Sequence, residues 1–393
     1  MKSIISFILV IIMMFAGIIN SFSPVAGDLS VAENNPYTGE ISEADKLLLE
    51  YIYITETAWL ASLQLSNGAI PMTAAKDGEV TVNPYFSDIA ALAMLDNAEK
   101  YKDNVKSYLD WHFSHLNTAE TDYNKTDATI YDYTVTLENE NIVKEEISVK
   151  DDKPSYDSTD SYAATFLTLL GKYYDKTADI EYIKANYSDI VRITEAMLYT
   201  LNLGLTYAKP DYKIMYLMDN CEVYEGALSA SRLLALVSDR SPEQNLILTK
   251  VTYAADWIKS TVEKKLWNSE DGYYEAGLFT DGKPAYEFSW DNFYPCATAQ
   301  LFPVIHGLIP ADSSRAVTLY DSFCDSYSWE TFDIPSDFYW GSNVLAAAEI
   351  GDSERVMSYM RNYTSLMLLH KYPLYNADAA RVSMAAYKLL NAE

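Results

Sequence analysis

Apolar residues along the chain fall into two alternating kinds of segment. The first kind is short and rich in alanine. Six such segments occur, at 87–95, 161–171, 225–236, 296–302, 341–351 and 378–390. Small side chains let helices approach one another closely, so these segments are expected to form helices at the centre of the molecule.

The second kind of segment is longer and amphipathic. Its six members lie at 43–65, 99–117, 179–202, 242–266, 312–327 and 353–369. In the third of them Ile183, Tyr187 and Ile190 recur at helical spacing, and in the fifth Ala316 and Tyr320 do the same. Such helices bury one stripe and expose the opposite face to water.

Twelve helices of two alternating kinds predict two concentric layers. The alanine-rich helices would surround one axis, and the amphipathic helices would pack around them. The alternative is an irregular helical bundle, but the regular alternation favours the ring. We therefore predict a single all-α domain over 43–393, built from six helical hairpins.

The connections between these helices differ in length according to their direction. Links from an inner helix to the next outer helix are short, as at 174–178 and 351–352. Links from outer to inner helices are long. They include alternating strand-like runs at 129–137 and 142–149, a turn at 209–211 and a hairpin signal at Asp281-Gly282. In a ring of antiparallel helices the long links share one rim, and such loops concentrate binding and catalysis. The functional face is therefore expected at the N-termini of the inner helices.

The first residues have the pattern of a secretory signal peptide. Lys2 precedes an apolar run over 4–19, and small residues follow over 21–27. We predict cleavage after Gly27, a disordered segment over 28–42 and secretion of the mature protein. An uncleaved membrane anchor is the alternative, although the run is short for a membrane span.

Charge and aromatic content narrow the class of ligand. The formal net charge is −27, and this negative field would repel a phosphate backbone, so nucleic acid is not an expected partner. The chain contains 33 tyrosines and 7 tryptophans, and exposed aromatic rings are surfaces on which sugar rings stack. Many of these rings are expected in the core instead.

Residues that ligate metals are few and scattered. The cysteines are Cys221, Cys296 and Cys324, and the histidines are His112, His115, His306 and His370. They form no ligand cluster along the sequence, so neither a metal site nor another cofactor is expected. In an oxidising compartment one cysteine pair could close, and Cys221 and Cys296 lie at neighbouring inner-helix entrances.

Each entrance to an inner helix places carboxyl groups beside aromatic side chains. Phe86 precedes Asp88, for example, and Asp291 follows Trp290. Acids and aromatics around a single mouth are suited to binding sugar, although any of these rings could belong to the core. The candidate substrate-binding residues are Phe86, Asp157, Tyr162, Asp219, Trp290, Tyr294, Tyr339, Trp340 and Asn376.

Glycoside hydrolysis requires two carboxyl groups that flank the scissile bond, one protonated and the other ionised. Asp160 and Glu222 lie on neighbouring inner helices and are the first candidates, followed by Asp88 and Asp291. Crowded carboxyl groups at a partly buried mouth raise the pKa of at least one of them. Retaining and inverting stereochemistry both stay open.

Helix capping is the alternative role for each of these acids. Asp157 and Asp160 have the spacing of a capping box, and so have Asp219 and Glu222. Acids in the first turn also suit the helix dipole. Capping alone does not require aromatic rings at the same positions.

The helix alternation and three local phrases resemble the six-hairpin glycosidase-like superfamily, whose fold is an (α/α)6 toroid. Segment 59–71 (WLASLQLSNGAIP) resembles the end of a first outer helix. Segment 157–165 (DSTDSYAAT) resembles a second inner-helix entrance, and the pattern LW…DGYY at 266–274 is common in such enzymes. The resemblance covers essentially the whole mature chain. It implies the toroid fold and glycosidase activity without a metal.

None of these phrases is a catalytic signature of one family, and the acid-bearing motif of the endoglucanase family with this fold is absent. The residue assignments therefore rest on the argument from the helix entrances. Together these observations predict a secreted, monomeric glycoside hydrolase that acts on a neutral oligo- or polysaccharide.

Two other functions fit a toroid of this kind. A polysaccharide lyase would use tyrosine with histidine or asparagine as its base, and arginine or lysine to hold a uronate. The predicted rim is acidic and lacks histidine, which disfavours a lyase. A non-catalytic glycan-binding protein on the same toroid is the second. Terpenoid and lanthionine cyclases share similar toroids, but their Asp-rich motif and Cys/His zinc set are not visible here.

Overall fold

The structure is a computed structural model that describes residues 27–32, 35–37, 39, 41–370 and 374–392. Nearly all of the predicted signal peptide, residues 1–26, lies outside this range. Within the described residues, no helix is both long enough and apolar enough to cross a membrane.

Helices make up most of the described chain and alternate between an outer and an inner layer. In chain order they are α1 (Glu43–Ser62), α2 (Pro84–Met94), α3 (Ala98–Ser114), α4 (Asp160–Thr177), α5 (Ile180–Ala185), α6 (Tyr187–Tyr199), α7 (Leu217–Ala235), α8 (Pro242–Lys265), α9 (Phe302–Ile305), α10 (Ser314–Ser326), α11 (Ser342–Ile350), α12 (Ser353–Met367) and α13 (Asn376–Leu390). The outer layer consists of α1, α3, α5 with α6, α8, α10 and α12. The inner layer consists of α2, α4, α7, α9, α11 and α13. A π-helical turn at Phe293–Ala297 precedes α9.

The inner helices close into a ring. Each of the six packs against the inner helix before it and the one after it, and α13 closes the ring on α2. The outer helix α1 packs against both α13 and α2, so the first and last hairpins are also joined. The predicted two-layer toroid is therefore confirmed.

Alanine and glycine at the centre allow the inner helices to approach closely. The alanines of α2, α4 and α13 are almost completely buried. Gly226 on α7 faces Ala164 on α4, and a Cβ atom at position 226 would lie 2.8 Å from the Cβ of Ala164. Small residues are needed at this crossing because any larger side chain would push the two helices apart.

Short polar side chains fix where the outer helices begin. Ser42, Asp179, Ser241, Ser313 and Asp352 each accept a hydrogen bond from the backbone N–H three residues later. Ser241 and Gln244 form a complete capping box at the start of α8. These caps satisfy N–H groups that a helix leaves free at its first turn.

All of the strands in the described residues lie in the first four outer-to-inner connections. In chain order they are β1 (Glu79–Val82), β2 (Tyr133–Glu138), β3 (Asn141–Ile147), β4 (Val149–Lys150), β5 (Lys153–Pro154), β6 (Ile214–Tyr216), β7 (Trp267–Asn268), β8 (Tyr273–Tyr274) and β9 (Gly277–Phe279). The predicted hairpin is β2–β3, and β1 adds a third antiparallel strand to it. β6 pairs with β9, which links two neighbouring connections. These sheets build up one rim of the toroid.

The described part of the segment 28–42, for which the sequence predicts disorder, contacts the outer layer. Asp28 forms two hydrogen bonds of 2.8 and 2.9 Å with the buried guanidinium of Arg315. The backbone of Val31 pairs with Ser313, and the Tyr37 hydroxyl donates to Asp321. These contacts tie the N-terminal segment to α10.

Candidate active site

A cavity of about 1200 Å³ opens on the rim that carries the long connections. All six inner-helix entrances contribute to its wall, through residues such as Tyr85, Tyr162, Glu222, Trp340 and Asp378. The loops at 150–157 and 335–338 extend the wall outwards. The cavity therefore lies on the axis of the ring, at the N-termini of the inner helices.

Two carboxyl groups line this cavity from the first two turns of α7. Asp219 and Glu222 are three residues apart and so lie on one face of the helix. The residue before α7, Tyr216, makes no side-chain capping hydrogen bond. Among the other described residues none donates a hydrogen bond to the Asp219 side chain, although the backbone N–H of Asp219 itself does.

The environment of Asp219 favours its protonated form. Burial raises its pKa well above the usual value, and the carboxyl groups of Asp160, Glu222 and Asp157 raise it further. Desolvation and like charge act in the same direction on a carboxyl group. Both effects therefore favour the form of Asp219 that can donate a proton in the cavity.

Glu222 lies at the floor of the cavity and is almost completely buried. Its Oε1 accepts a hydrogen bond of 2.5 Å from the Tyr85 hydroxyl, which in turn accepts one of 3.2 Å from Arg381. Burial raises the pKa of Glu222, whereas His306, Tyr85 and Arg381 lower it. A second cavity, of about 280 Å³, lies beyond this layer and shares Tyr85, Glu222 and Arg381 with the first.

Asp160 lies behind the cavity wall and is not among the residues that line it. It begins α4 and is completely buried, and its Oδ2 has no hydrogen-bond partner in the described residues. Burial and the charge of Glu222 contribute to raising its pKa to about 7. Its main effect on the cavity is electrostatic, because it raises the pKa of Asp219.

Asp378 faces the same cavity but acts as a structural acceptor. Its Oδ1 accepts a hydrogen bond of 2.8 Å from the Gly341 N–H, and its Oδ2 accepts a longer one from Tyr375. Both oxygens are therefore engaged by backbone groups at the start of α11 and α13. Of the buried carboxyl groups in the cavity wall, Asp219 and Glu222 keep an oxygen free for a ligand.

Comparison with known proteins identifies solved structures with a similar fold. No protein-family model and no curated protein matches the chain. Among solved structures, one described as a wild-type glycosidase has a TM-score of 0.58 at 12% identity, covering 89% of this chain and 98% of its own. The GH63 mannosylglycerate hydrolase from Thermus thermophilus, in complex with glucose, has a TM-score of 0.56 at 10% identity, covering 86% and 99%. The GH78 rhamnosidase of Bacillus sp. GL1 has a TM-score of 0.55 at 13% identity, covering 91% of this chain and 36% of its own.

The chain shares the (α/α)6 toroid fold of these glycosidases. This confirms the fold that the helix alternation and the local phrases indicated. At 10 to 13% identity the similarity establishes the fold, and the activity must be argued from the residues of the cavity.

Two other carboxyl groups named from the sequence lie outside the cavity wall of the toroid. Asp88 is completely buried between layers, where it accepts a hydrogen bond of 2.8 Å from Tyr108 on α3. Asp291 is exposed on the connection before the fourth inner helix. Asp88 and Asp291 are therefore not brought together with Asp219 and Glu222.

Some of the candidate binding residues line the cavity, and others lie outside its wall. Phe86, Asp157, Tyr162, Asp219, Tyr294 and Trp340 line the cavity. Trp290, Tyr339 and Asn376 do not. The Trp290 carbonyl accepts a hydrogen bond from Tyr327, Tyr339 packs edge-on against Phe332, and the Asn376 amide donates to the Pro71 carbonyl.

Several cavity residues were not singled out from the sequence. Tyr85 and Arg381 hold Glu222, and Phe338 stacks on Trp340 with ring centroids 5.1 Å apart. Asp132 accepts hydrogen bonds from Asn83, Tyr162 and Ser155, and burial raises its pKa to about 6. The signal for Arg381 was a cation near the start of an alanine-rich inner segment.

Cations also reach the mouth of the cavity. Eight carboxyl groups and four cationic side chains line it, the cations being Lys150, Lys153, Lys209 and Arg381. Lys209 donates to the Tyr156 carbonyl at 3.0 Å, and Lys153 lies 3.7 Å from Asp211. The rim is therefore mixed in charge, with an excess of acids.

The three cysteines are not among the residues that line the cavity. Cys221, Cys296 and Cys324 are free thiols, and burial raises the pKa of each. In the part of the chain that the structure describes, no group of three or more His, Cys, Asp or Glu side chains is arranged to hold a metal ion.

Proposed function

We propose that this protein is an exported glycoside hydrolase that cleaves a neutral oligo- or polysaccharide in the axial cavity. The observation that carries the proposal is the pair Asp219 and Glu222. They are two carboxyl groups that line one cavity in different surroundings, because three other carboxyl groups crowd Asp219 whereas the Tyr85 hydroxyl donates a hydrogen bond to Glu222, and acid–base cleavage of a glycosidic bond requires a pair of carboxyl groups.

Asp219 is the proton donor in this proposal. Burial and three neighbouring carboxyl groups raise its pKa and so favour its protonated form, and among the described residues its own backbone N–H is the group that donates a hydrogen bond to it. During cleavage the glycosidic C–O bond breaks and the departing oxygen takes the proton of Asp219. Asp160 is a positioning residue, since it supports the protonated state of Asp219 without reaching the cavity.

Glu222 is the ionised partner. Burial raises the pKa of Glu222, and the hydrogen bond from the Tyr85 hydroxyl and the charge of Arg381 oppose this effect and favour the carboxylate form. The carboxylate either activates a water molecule or attacks the anomeric carbon directly. In both cases the net reaction consumes one water, whose oxygen becomes bonded to the anomeric carbon and whose protons restore Asp219 and complete the new hydroxyl group.

Aromatic side chains around the mouth support a sugar as the ligand. The Tyr294 ring is 55% exposed and lies 5.2 Å from the ring of Trp340, which stacks in turn on Phe338. The backbone of Tyr294 is extended within the π-helical turn, with φ −125° and ψ 128°. Exposed rings with neighbouring carboxyl and hydroxyl groups match the apolar faces and hydroxyl edges of a pyranose.

The excess of carboxyl groups over cations favours a neutral glycan. A uronate polymer would bring further negative charge to a wall that holds eight carboxyl groups. Arg381 does not change this balance, because its neighbours are Glu222 and Asp378.

A screen of purified protein against neutral and uronate-containing glycans tests the proposal. We expect new reducing ends from at least one neutral glycan and none from uronate polymers. Binding of a neutral glycan without turnover would replace the hydrolase with a glycan-binding protein. Unsaturated products from a uronate polymer would replace it with a lyase.

We also propose that the chain is exported and cut after Gly27. Lys2, the apolar run and the small residues that follow support this processing. The intact mass of protein recovered from the medium should then correspond to a chain that begins at Asp28. Recovery of uncut chain in the membrane fraction would favour an anchor.

A further inference from the structure

A side pocket opens from the axial cavity next to the proposed proton donor. Its volume is about 280 Å³, close to the lower end of the range for small-molecule sites, roughly 300 Å³. Asp157, Asp219 and Tyr294 line both spaces, so they stand at the boundary between them. Tyr212 and Tyr216 line the side pocket alone.

Tyr212 and Tyr216 form one wall of this pocket, and their hydroxyl groups are linked to that of Tyr286, which lies outside the lining. The hydroxyl of Tyr216 lies 3.1 Å from that of Tyr212 and 2.7 Å from that of Tyr286. The rings of Tyr212 and Tyr216 are stacked with centroids 6.5 Å apart, and those of Tyr216 and Tyr286 are 6.1 Å apart. We call these three residues the tyrosine row.

The backbone holds the tyrosine row in place. Tyr216 is the last residue of β6, which pairs with β9, and the Ala285 N–H next to Tyr286 donates to the Gly277 carbonyl of β9. A closed turn with a hydrogen bond of 2.9 Å between Tyr212 and Lys209 supports the other end. The rings are therefore preorganised, which lowers the entropy cost of binding a flat ligand against them.

One end of the tyrosine row is exposed to solvent. Tyr212 is 45% exposed, and stacking of its ring on Tyr216 leaves one face open to the pocket. Hydroxyl groups along an aromatic wall can donate and accept hydrogen bonds, and the rings offer apolar faces, which together are complementary to a pyranose.

We propose that the side pocket is the subsite for the leaving-group sugar, with the tyrosine row as its binding wall. The proposal rests on the hydrolase function above. Asp219 then lies between the two rings of the substrate, with the glycone in the axial cavity and the leaving sugar against Tyr212. When the glycosidic C–O bond breaks, the proton of Asp219 goes to the oxygen that stays on the leaving sugar. Water supplies the hydroxyl group of the other product.

The test compares two substrates that share a glycone. One is the neutral disaccharide with the highest kcat/KM in the glycan screen, and the other is the glycosyl fluoride of the same glycone. Fluoride is a single atom and leaves the side pocket empty. The Tyr212→Ala variant should lower kcat/KM for the disaccharide about 5- to 30-fold, the effect of losing one well-formed contact. It should leave kcat/KM for the fluoride within about twofold.

Two further variants sharpen the result. Tyr212→Phe keeps the ring and removes the hydroxyl, so it should retain most of the disaccharide activity if stacking dominates. Tyr51→Ala is the matched control, because Tyr51 is 52% exposed on α1, far from the cavity wall. It should change neither substrate. Thermal midpoints check that each variant is folded.

Three outcomes are informative. A selective loss on the disaccharide supports the subsite. An equal effect of Tyr212→Ala on both substrates, or no effect on either, overturns the subsite while the hydrolase proposal stands. If the native protein cleaves neither substrate, the hydrolase proposal fails, and the subsite fails with it.

Discussion

The hydrogen bond from Tyr85 to Glu222 gives the mechanism its most specific test. The Tyr85→Phe variant keeps the ring that packs near Phe86 and Tyr162 and removes only the hydroxyl group. Within the described residues this hydroxyl is the only hydrogen-bond donor to the Glu222 side chain. Its loss should therefore raise the pKa of Glu222, because a hydrogen bond to the charged form of a carboxyl group stabilises that form.

The size of the shift follows from the geometry. The bond is 2.5 Å long and joins the buried Glu222 to the half-buried Tyr85, and a hydrogen bond to a charged group contributes about 1.5–3 kcal/mol. At about 1.4 kcal/mol per pKa unit, complete loss would raise the pKa by about one to two units. The guanidinium of Arg381, which donates to the same hydroxyl at 3.2 Å, can approach the carboxylate in the variant. The lower end of that range, about one unit, is therefore expected.

The assay is the pH dependence of kcat/KM on a neutral glycan. Its acidic limb reports ionisation of the essential carboxylate in the free enzyme. Because the variant holds the Glu222 proton more tightly, that limb should move to higher pH by about one unit. Activity lost at low pH should return on the alkaline side of the profile.

Tyr108→Phe is the matched control. Tyr108 donates to Asp88 at 2.8 Å, and both residues are completely buried and lie outside the cavity wall. This variant should lower the thermal midpoint and leave the pH profile in place. An unchanged acidic limb in Tyr85→Phe would refute the role of Glu222. A shifted limb in Tyr108→Phe would point to Asp88 instead.

Three further predictions concern stability. Asp160→Asn should raise the thermal midpoint at about pH 8 and change it little below about pH 4. Burial raises the pKa of this carboxyl to about 7, so the folded chain keeps a proton that the unfolded chain loses, and stability falls as the pH rises through that window. An equal change at both pH values would contradict it. Gly226→Ala should cost about 1–3 kcal/mol in chemical unfolding, because the new Cβ would lie 2.8 Å from that of Ala164, and an unchanged midpoint would show that α4 and α7 can separate freely. Arg315→Ala should cost about 3–5 kcal/mol, since it leaves the carboxylates of Glu263 and Asp28 without their buried partner. A loss below about 1 kcal/mol would mean that the N-terminal contact contributes little.

The helical layers could be predicted because their signals are local. Alanine-rich and amphipathic segments alternate with periods that a helix imposes, and all six hairpins were located in this way. The fourth inner helix was less regular than expected. It is broken into the turn Phe293–Ala297 and α9, because Pro295 and Pro303 lack the N–H groups that a continuous helix needs.

The start of α7 shows why helices are hard to delimit at a functional site. The alanine-rich pattern begins at residue 225, whereas the helix begins at Leu217. Asp219 and Glu222 interrupt the apolar pattern because they face the cavity and not the core. Polar residues selected for chemistry therefore conceal the first two turns of the helix that carries them.

The kinds of residue in the site could be predicted from the sequence, but the individual residues that line the cavity could not. Acids at the helix entrances indicated the rim on which the cavity opens, and six of the nine candidate binding residues line that cavity. Whether an acid faces the cavity or a neighbouring helix depends on tertiary packing, as in the contact between Asp88 and Tyr108. The hydrogen bond between Tyr85 and Glu222 joins residues that are 137 positions apart, and no local sequence pattern predicts it.

The central claim is that Asp219 donates the proton, and its direct test is the rate of the Asp219→Asn variant. Asparagine keeps the shape of the side chain and cannot act as an acid. Asp291→Asn is the control, because Asp291 is an exposed acid outside the cavity wall. In Asp219→Asn, kcat/KM on a neutral glycan should fall about 10²- to 10⁴-fold, whereas in Asp291→Asn it should not change. Full activity in Asp219→Asn, or an equal loss in Asp291→Asn, would contradict the assignment.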